Sequence, residues 1–108
     1  MKKFLIIPFI LLSNLISAQI VVLHFNAGWN EANSVVWVDD LEDCEIEHID
    51  IAKKVNLQKK WNVVVVPTIL ILQYDEEKKR YQADLSFKMS ATREELQDYI
   101  NELVLSGF

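Results

Sequence analysis

One thiol, Cys44, and two imidazoles, His24 and His48, are the side chains of this chain best suited to covalent or metal chemistry. A single cysteine cannot staple its own chain. It is a buried inert side chain, a monothiol redox site, or half of an intermolecular disulfide. His24 lies in the apolar run Gln19–Ala27, where a hydrogen-bonded core imidazole is the expected state. The placing of His24, Cys44 and His48 along the chain matches no ligand pattern, so neither a metal site nor another cofactor is expected.

The elements that must position these residues are set by the stretch Val63–Leu72, VVVVPTILIL. So long an apolar run asks for burial on two faces, yet Pro67 in its middle has no amide to give a sheet ladder. The run therefore splits at a corner. Val63–Val66 approach it extended, as the residue before a proline must, and Thr68–Leu72 leave it as a strand buried on both sides. Gln19–Ala27 reads as another inner strand. Gly28-Trp29-Asn30 ends it, and a short helix is expected over Glu31–Leu41, with Val35, Val38 and Leu41 at helical spacing. Cys44–Ile51 alternates as a strand. From Ala52 the pattern turns helical, with Val55, Leu57 and Trp61 inward and Asn62 closing the helix in a left-handed conformation. Asp75–Lys79 contains no glycine, which predicts a loop longer than a tight hairpin turn. Arg80–Met89 then alternates, with Tyr81, Ala83, Leu85, Phe87 and Met89 on one face, and is expected to form an antiparallel strand. Thr92 and Glu95 form a capping box for a last helix lined by Leu96, Tyr99, Ile100, Leu103 and Val104. The order is a parallel βαβ unit followed by an antiparallel ββα unit, an α/β fold with a four-stranded mixed sheet.

Residues 1–18 read as a secretory leader. Lys2 and Lys3 precede the apolar Phe4–Ile16, and the small pair Ser17-Ala18 suits cleavage before Gln19. This predicts an exported domain, residues 19–108, periplasmic or secreted and without stable membrane insertion once the leader is removed. Taking two lysines from a chain of formal charge −5 leaves −7, a surface that repels nucleic acid and anionic lipid.

Several segments, taken in order, resemble the thioredoxin-like family. VVLHFNAGWN is similar to the strand that runs into a tryptophan just before that family's Cys-Gly-Pro-Cys. IDIAKKVNLQKKWNV is similar, without a gap, to the strand and helix before its proline corner, and Val66-Pro67-Thr68 to its cis-proline signature. The resemblance covers Ile20–Val104 and implies a thioredoxin-like fold with a cis peptide bond at Pro67. It also implies what is missing. Both cysteines of the motif are replaced, by Asn30 and Asn33, and an asparagine is neither a nucleophile nor oxidisable. His24 stands at the position of the family's buried acid. The segment from Trp29 to Asp50 is shorter than the family's, and Asp84–Ala91 is an added length before the last helix.

The family grips extended peptide around the tryptophan and the residue before the proline, a use that needs no thiol. By resemblance the binding positions here are Trp29, Asn30, Asn33, Val66 and Pro67. The expected function is a redox-inactive module that binds an extended peptide or a protein partner, more a binding protein than an enzyme. Two alternatives stand beside it. One is a thiol-disulfide oxidoreductase acting through Cys44; the other is a structural subunit of a larger assembly, whose apolar face another chain covers.

Overall fold

The computed structural model describes residues 19–106; the expected leader lies outside them. Four strands, β1 (Ile20–Asn26), β2 (Glu45–Asp50), β3 (Thr68–Gln73) and β4 (Glu76–Gln82), form one sheet in the order β2-β1-β3-β4. β1 runs parallel to β2 and antiparallel to β3, and β3 runs antiparallel to β4. The parallel pair requires a crossover, which passes through two 3-10 segments, Gly28–Asn33 and Val36–Asp40. Helix α1 (Val55–Lys60) follows β2, and helix α2 (Arg93–Ser106) ends the domain.

Alternation along the central strands divides the core in two. Ile20, Val22, Ile69 and Ile71 face Val35, Val38 and Leu41 of the crossover and Leu96, Ile100 and Leu103 of α2. Leu23, Phe25, Leu70 and Leu72 face the other way, onto Val63 and Val66. Every residue of β3 is buried, as a strand covered on both faces should be. The capping box forms as expected: the Thr92 amide donates to Glu95, and the Glu95 amide donates to Thr92 Oγ1. Asn62 takes φ 54° beyond the end of α1.

Four expectations need correction. The helix expected over Glu31–Leu41 is replaced by the two 3-10 segments. Asn30 breaks the first with φ −114°, and the β-branched Val35, Val36 and Val38 disfavour continuous α-helix through the second. In α1, Leu57 is half-buried but Val55, at the first position, is exposed. The long loop expected at Asp75–Lys79 is a two-residue turn. Gln73 pairs with Glu76, while Tyr74 and Asp75 take φ 54° and 65°, both positive as a type I′ turn requires. The strand expected over Arg80–Met89 ends at Gln82, leaving Leu85 fully exposed. Asp84 is the cause. Its Oδ1 accepts from the Ser86 amide, the Ser86 hydroxyl and the Lys88 amide, turning the chain back on itself.

Candidate functional site

The Val66–Pro67 peptide bond is cis, and two carbonyls beside it are bonded internally. Carbonyls of Val65 and Pro67 accept from Thr68 Oγ1 and the Ala83 amide at 2.6 and 3.0 Å. Arg80 braces the approach. Its guanidinium donates to the Trp61 and Asn62 carbonyls at 2.6 and 3.1 Å while held bidentately by Glu77. The same pairing holds the Glu77 carboxyl below its usual range.

Opposite the corner, the Gly28–Asn33 turn presents two adjacent residues in opposite senses. Trp29 is 67% exposed, whereas Asn30 is 5% exposed. A buried amide side chain must satisfy its own polar atoms, and Asn30 does so with a network. Its Nδ2 donates to Asn26 Oδ1 at 3.1 Å and faces the Val66 carbonyl at 3.4 Å. Its Oδ1 accepts from Asn33 Nδ2 at 2.8 Å. Asn26 Nδ2 donates in turn to the Asn30 carbonyl and to Ser34 Oγ. Among the described residues, no buried side-chain nitrogen or oxygen lacks a partner.

All five expected binding positions therefore meet at one end of the sheet, in different roles. Trp29 reaches solvent. Asn30 and Asn33 tie the turn to β1 and to the corner. Val66 and Pro67 bury their side chains, and the Val66 carbonyl faces Asn30 Nδ2. Phe87 joins them unexpectedly. Its ring meets Trp29 edge to face at 5.3 Å between centroids, and its carbonyl lies 3.5 Å from Asn30 Nδ2. Alternation had placed Phe87 on the inner face of a strand; the Asp84 turn delivers it instead with φ 65° to the rim. A cleft of about 190 Å³, lined by Asn33, Val36, Trp37, Lys88 and Met89 among others, separates this loop from the crossover.

Beneath the turn, β1 and β2 set His24 directly opposite His48. Their Nδ1 atoms are 3.0 Å apart. The Val35 amide donates to His24 Nε2 at 3.3 Å, and His48 Nε2 lies 2.7 Å from Asp39 Oδ1. An amide only donates, which fixes the remaining roles. His24 carries its proton on Nδ1 and gives it to His48 Nδ1, and His48 carries its proton on Nε2 and gives it to Asp39. Burial, and then the neighbouring His48, pushes His24 down from 6.5 to about 4, with Asp39 opposing. His48 is half-exposed because β2 is an edge strand. The pair lines an open cleft of about 410 Å³ with Asn26, Ser34, Glu31 and Asp50. Each of the four ring nitrogens thus has a partner.

Cys44 stands apart, about 13 Å along the strand direction from His48. It is half-buried against the first core layer, and burial, with Asp43 adding, raises its thiol to about 11. Among the described residues, no cluster of three or more His, Cys, Asp or Glu side chains could hold a metal ion, and no helix is long and apolar enough to cross a membrane.

No protein-family model matches the chain, and no curated protein matches its sequence. Solved structures do match. Thioredoxin 1 from Thermosipho africanus superposes with a TM-score of 0.63 at 21% identity, over 82% of this chain and 99% of its own. This is a thioredoxin-like fold. A variant thioredoxin from Halobacterium salinarum gives 0.63 at 19% identity, over 79% of this chain and 74% of its own. A thioredoxin from Schistosoma mansoni gives 0.61 at 18% identity, over 84% and 85%. The thioredoxin-like fold is kept here without a Cys-x-x-Cys motif, Asn30 and Asn33 standing in the turn after β1.

Proposed function

We propose that the protein is an exported, redox-inactive thioredoxin-like module that binds an extended peptide or protein segment across Trp29 and Phe87. The observation that carries this reading is the contrast within one turn. Asn30 is locked into a satisfied network, while its neighbour Trp29 stands 67% exposed beside a second aromatic ring. A rigid base under an accessible aromatic pair is the arrangement that gives a binding surface its anchor. Val64 and Leu85 add exposed apolar side chains just before the corner and just before Phe87. Support for export comes from residues 1–18, with their paired lysines, apolar run and small residues at the cut. The reading as an oxidoreductase through Cys44 loses support from the thiol itself, since a group raised to about 11 is almost wholly protonated at neutral pH.

The test pairs a binding measurement with a thiol measurement. Peptides selected from a random display library against the protein should lose at least roughly tenfold in affinity for Trp29→Ala, which removes an aromatic anchor. In glutathione redox buffers Cys44 should gain no mass until the protein is unfolded. Selected peptides that bind Trp29→Ala undiminished would refute the surface. Reversible glutathione uptake by the folded protein would instead favour the oxidoreductase.

A further inference from the structure

The His24–His48 pair does something that peptide binding does not require. It links three elements through one line of hydrogen bonds, from the Val35 amide at the head of the Val36–Asp40 segment, through β1 and β2, and back to Asp39 in that same segment. Both ends of the line hold the crossover against the sheet. The line also has only one proton arrangement. Each of the four ring nitrogens has an assigned role, and two of them, His24 Nε2 and His48 Nδ1, must remain unprotonated acceptors.

We propose that this pair is a proton-operated latch on the crossover, closed when both imidazoles are neutral and opened when His48 takes up a proton. The added proton can go only to His48 Nδ1, because His48 Nε2 already carries one. There it meets the Nδ1–H of His24 across 3.0 Å, donor against donor. Turning His24 to its other tautomer gives no escape, since its Nε2–H would then confront the Val35 amide. One of the two bonds made by His24 must break. His48 is the ring free to move, being half-exposed on an edge strand, whereas His24 is 4% exposed.

The charged groups around the pair favour the change. Asp39 from the Val36–Asp40 segment holds His48 directly. Glu31 from the first 3-10 segment and Asp50 from β2 line the same cleft, and Lys53, beyond β2, is the opposing cation there. Once released, His48 keeps Asp39 but leaves His24, whose Nδ1–H then needs water. The segment that loosens carries Val36 and Trp37, which wall the cleft beside Lys88 and Met89. Opening the latch thus softens one wall next to the Trp29–Phe87 surface.

Amide exchange and imidazole ¹⁵N spectra of the labelled protein test the latch between about pH 8 and about pH 5. After correction for intrinsic exchange, protection of the Val35, Val38 and Leu41 amides should fall roughly tenfold or more, while β3 amides keep theirs. His48→Gln, which can accept from His24 and does not titrate, should abolish that local fall. A fall shared equally by β3, no fall, or the same fall in His48→Gln would overturn the proposal. Should His48→Gln not fold, the neutral tautomers of the unaltered protein decide. Protons on His24 Nδ1 and His48 Nε2 support the latch, and a proton on His24 Nε2 overturns it.

Discussion

Asn30 and His24 show how one residue type each changes what a fold can do. A cysteine at position 30 would be a nucleophile in a turn beside an exposed tryptophan, whereas asparagine there spends its polar atoms on Asn26, Asn33 and the Val66 carbonyl. An acid at position 24 could pass a proton upward, whereas His24 has both nitrogens committed sideways, to Val35 and His48. That commitment predicts how stability depends on pH. The unfolded chain protonates this imidazole near 6.5, and the folded chain only near 4, so between those values the unfolded state binds more protons. Stability is therefore full above about 6.5 and falls as the pH drops toward 4, by up to about 3 kcal/mol at about 1.4 kcal/mol per unit. Urea unfolding at stepped pH should show this decline, starting above the range where exposed carboxylates titrate, and His24→Gln should flatten it. A midpoint unchanged from pH 6.5 to pH 5 would mean that the ring is not held neutral. The absence of a Cys-x-x-Cys pair was legible in the sequence, because it needs only the string itself. Phe87, Asn26 and Ser34 were not, because their partners come from elements that only the folded chain brings together.

At the scale of elements, the crossover and the β3–β4 hairpin mark what periodicity can and cannot tell. Val63–Leu72 dictated a corner and a doubly buried strand because a proline and an apolar run leave few alternatives, and both are present. Arg80–Met89 alternated just as plainly, yet the strand stops at Gln82. Alternation records a chance of being extended, and three hydrogen bonds to one Asp84 oxygen outweigh it. The hairpin turn departs from its sequence pattern for the complementary reason. A type I′ turn prefers Asn-Gly, and here Tyr74-Asp75 adopts it under the demand of the flanking register. Positive φ at two such residues carries a conformational cost that the preferred pair would remove. Replacing Tyr74-Asp75 by Asn-Gly should therefore stabilise the protein by about 1 kcal/mol, read as a raised urea midpoint with unchanged slope. A lowered midpoint would show that the exposed Tyr74 ring contributes more than the turn loses.

Across the whole molecule, charge is divided more sharply than the net value suggests. From Gln19 to Ala52 there are eight acidic side chains and no lysine or arginine, whereas residues 53–106 hold nine basic against eight acidic. The first group decorates the crossover and β2, so an edge strand and its covering turns carry a negative field that the ion pairs Glu77–Arg80 and Glu94–Arg93 do not neutralise. Glu45 and Glu47 are exposed on that edge, where charge discourages pairing with another strand at the expense of repulsion between neighbours. Salt should relieve that repulsion, because the Debye length falls from about 30 Å at 0.01 M to about 10 Å at 0.1 M. Exposed ion pairs lose by the same screening, but each contributes at most about 1 kcal/mol. Raising sodium chloride from about 0.01 M to about 0.3 M should thus increase the thermal midpoint by roughly 2–4 °C, the response to about 0.5 kcal/mol in a domain this size. Replacing Glu45 and Glu47 together by glutamine should raise the midpoint at low salt and shrink the response to salt. A midpoint that falls with salt would place the balance with the ion pairs, and the acidic half of the molecule would then be well accommodated by its own fold rather than strained by it.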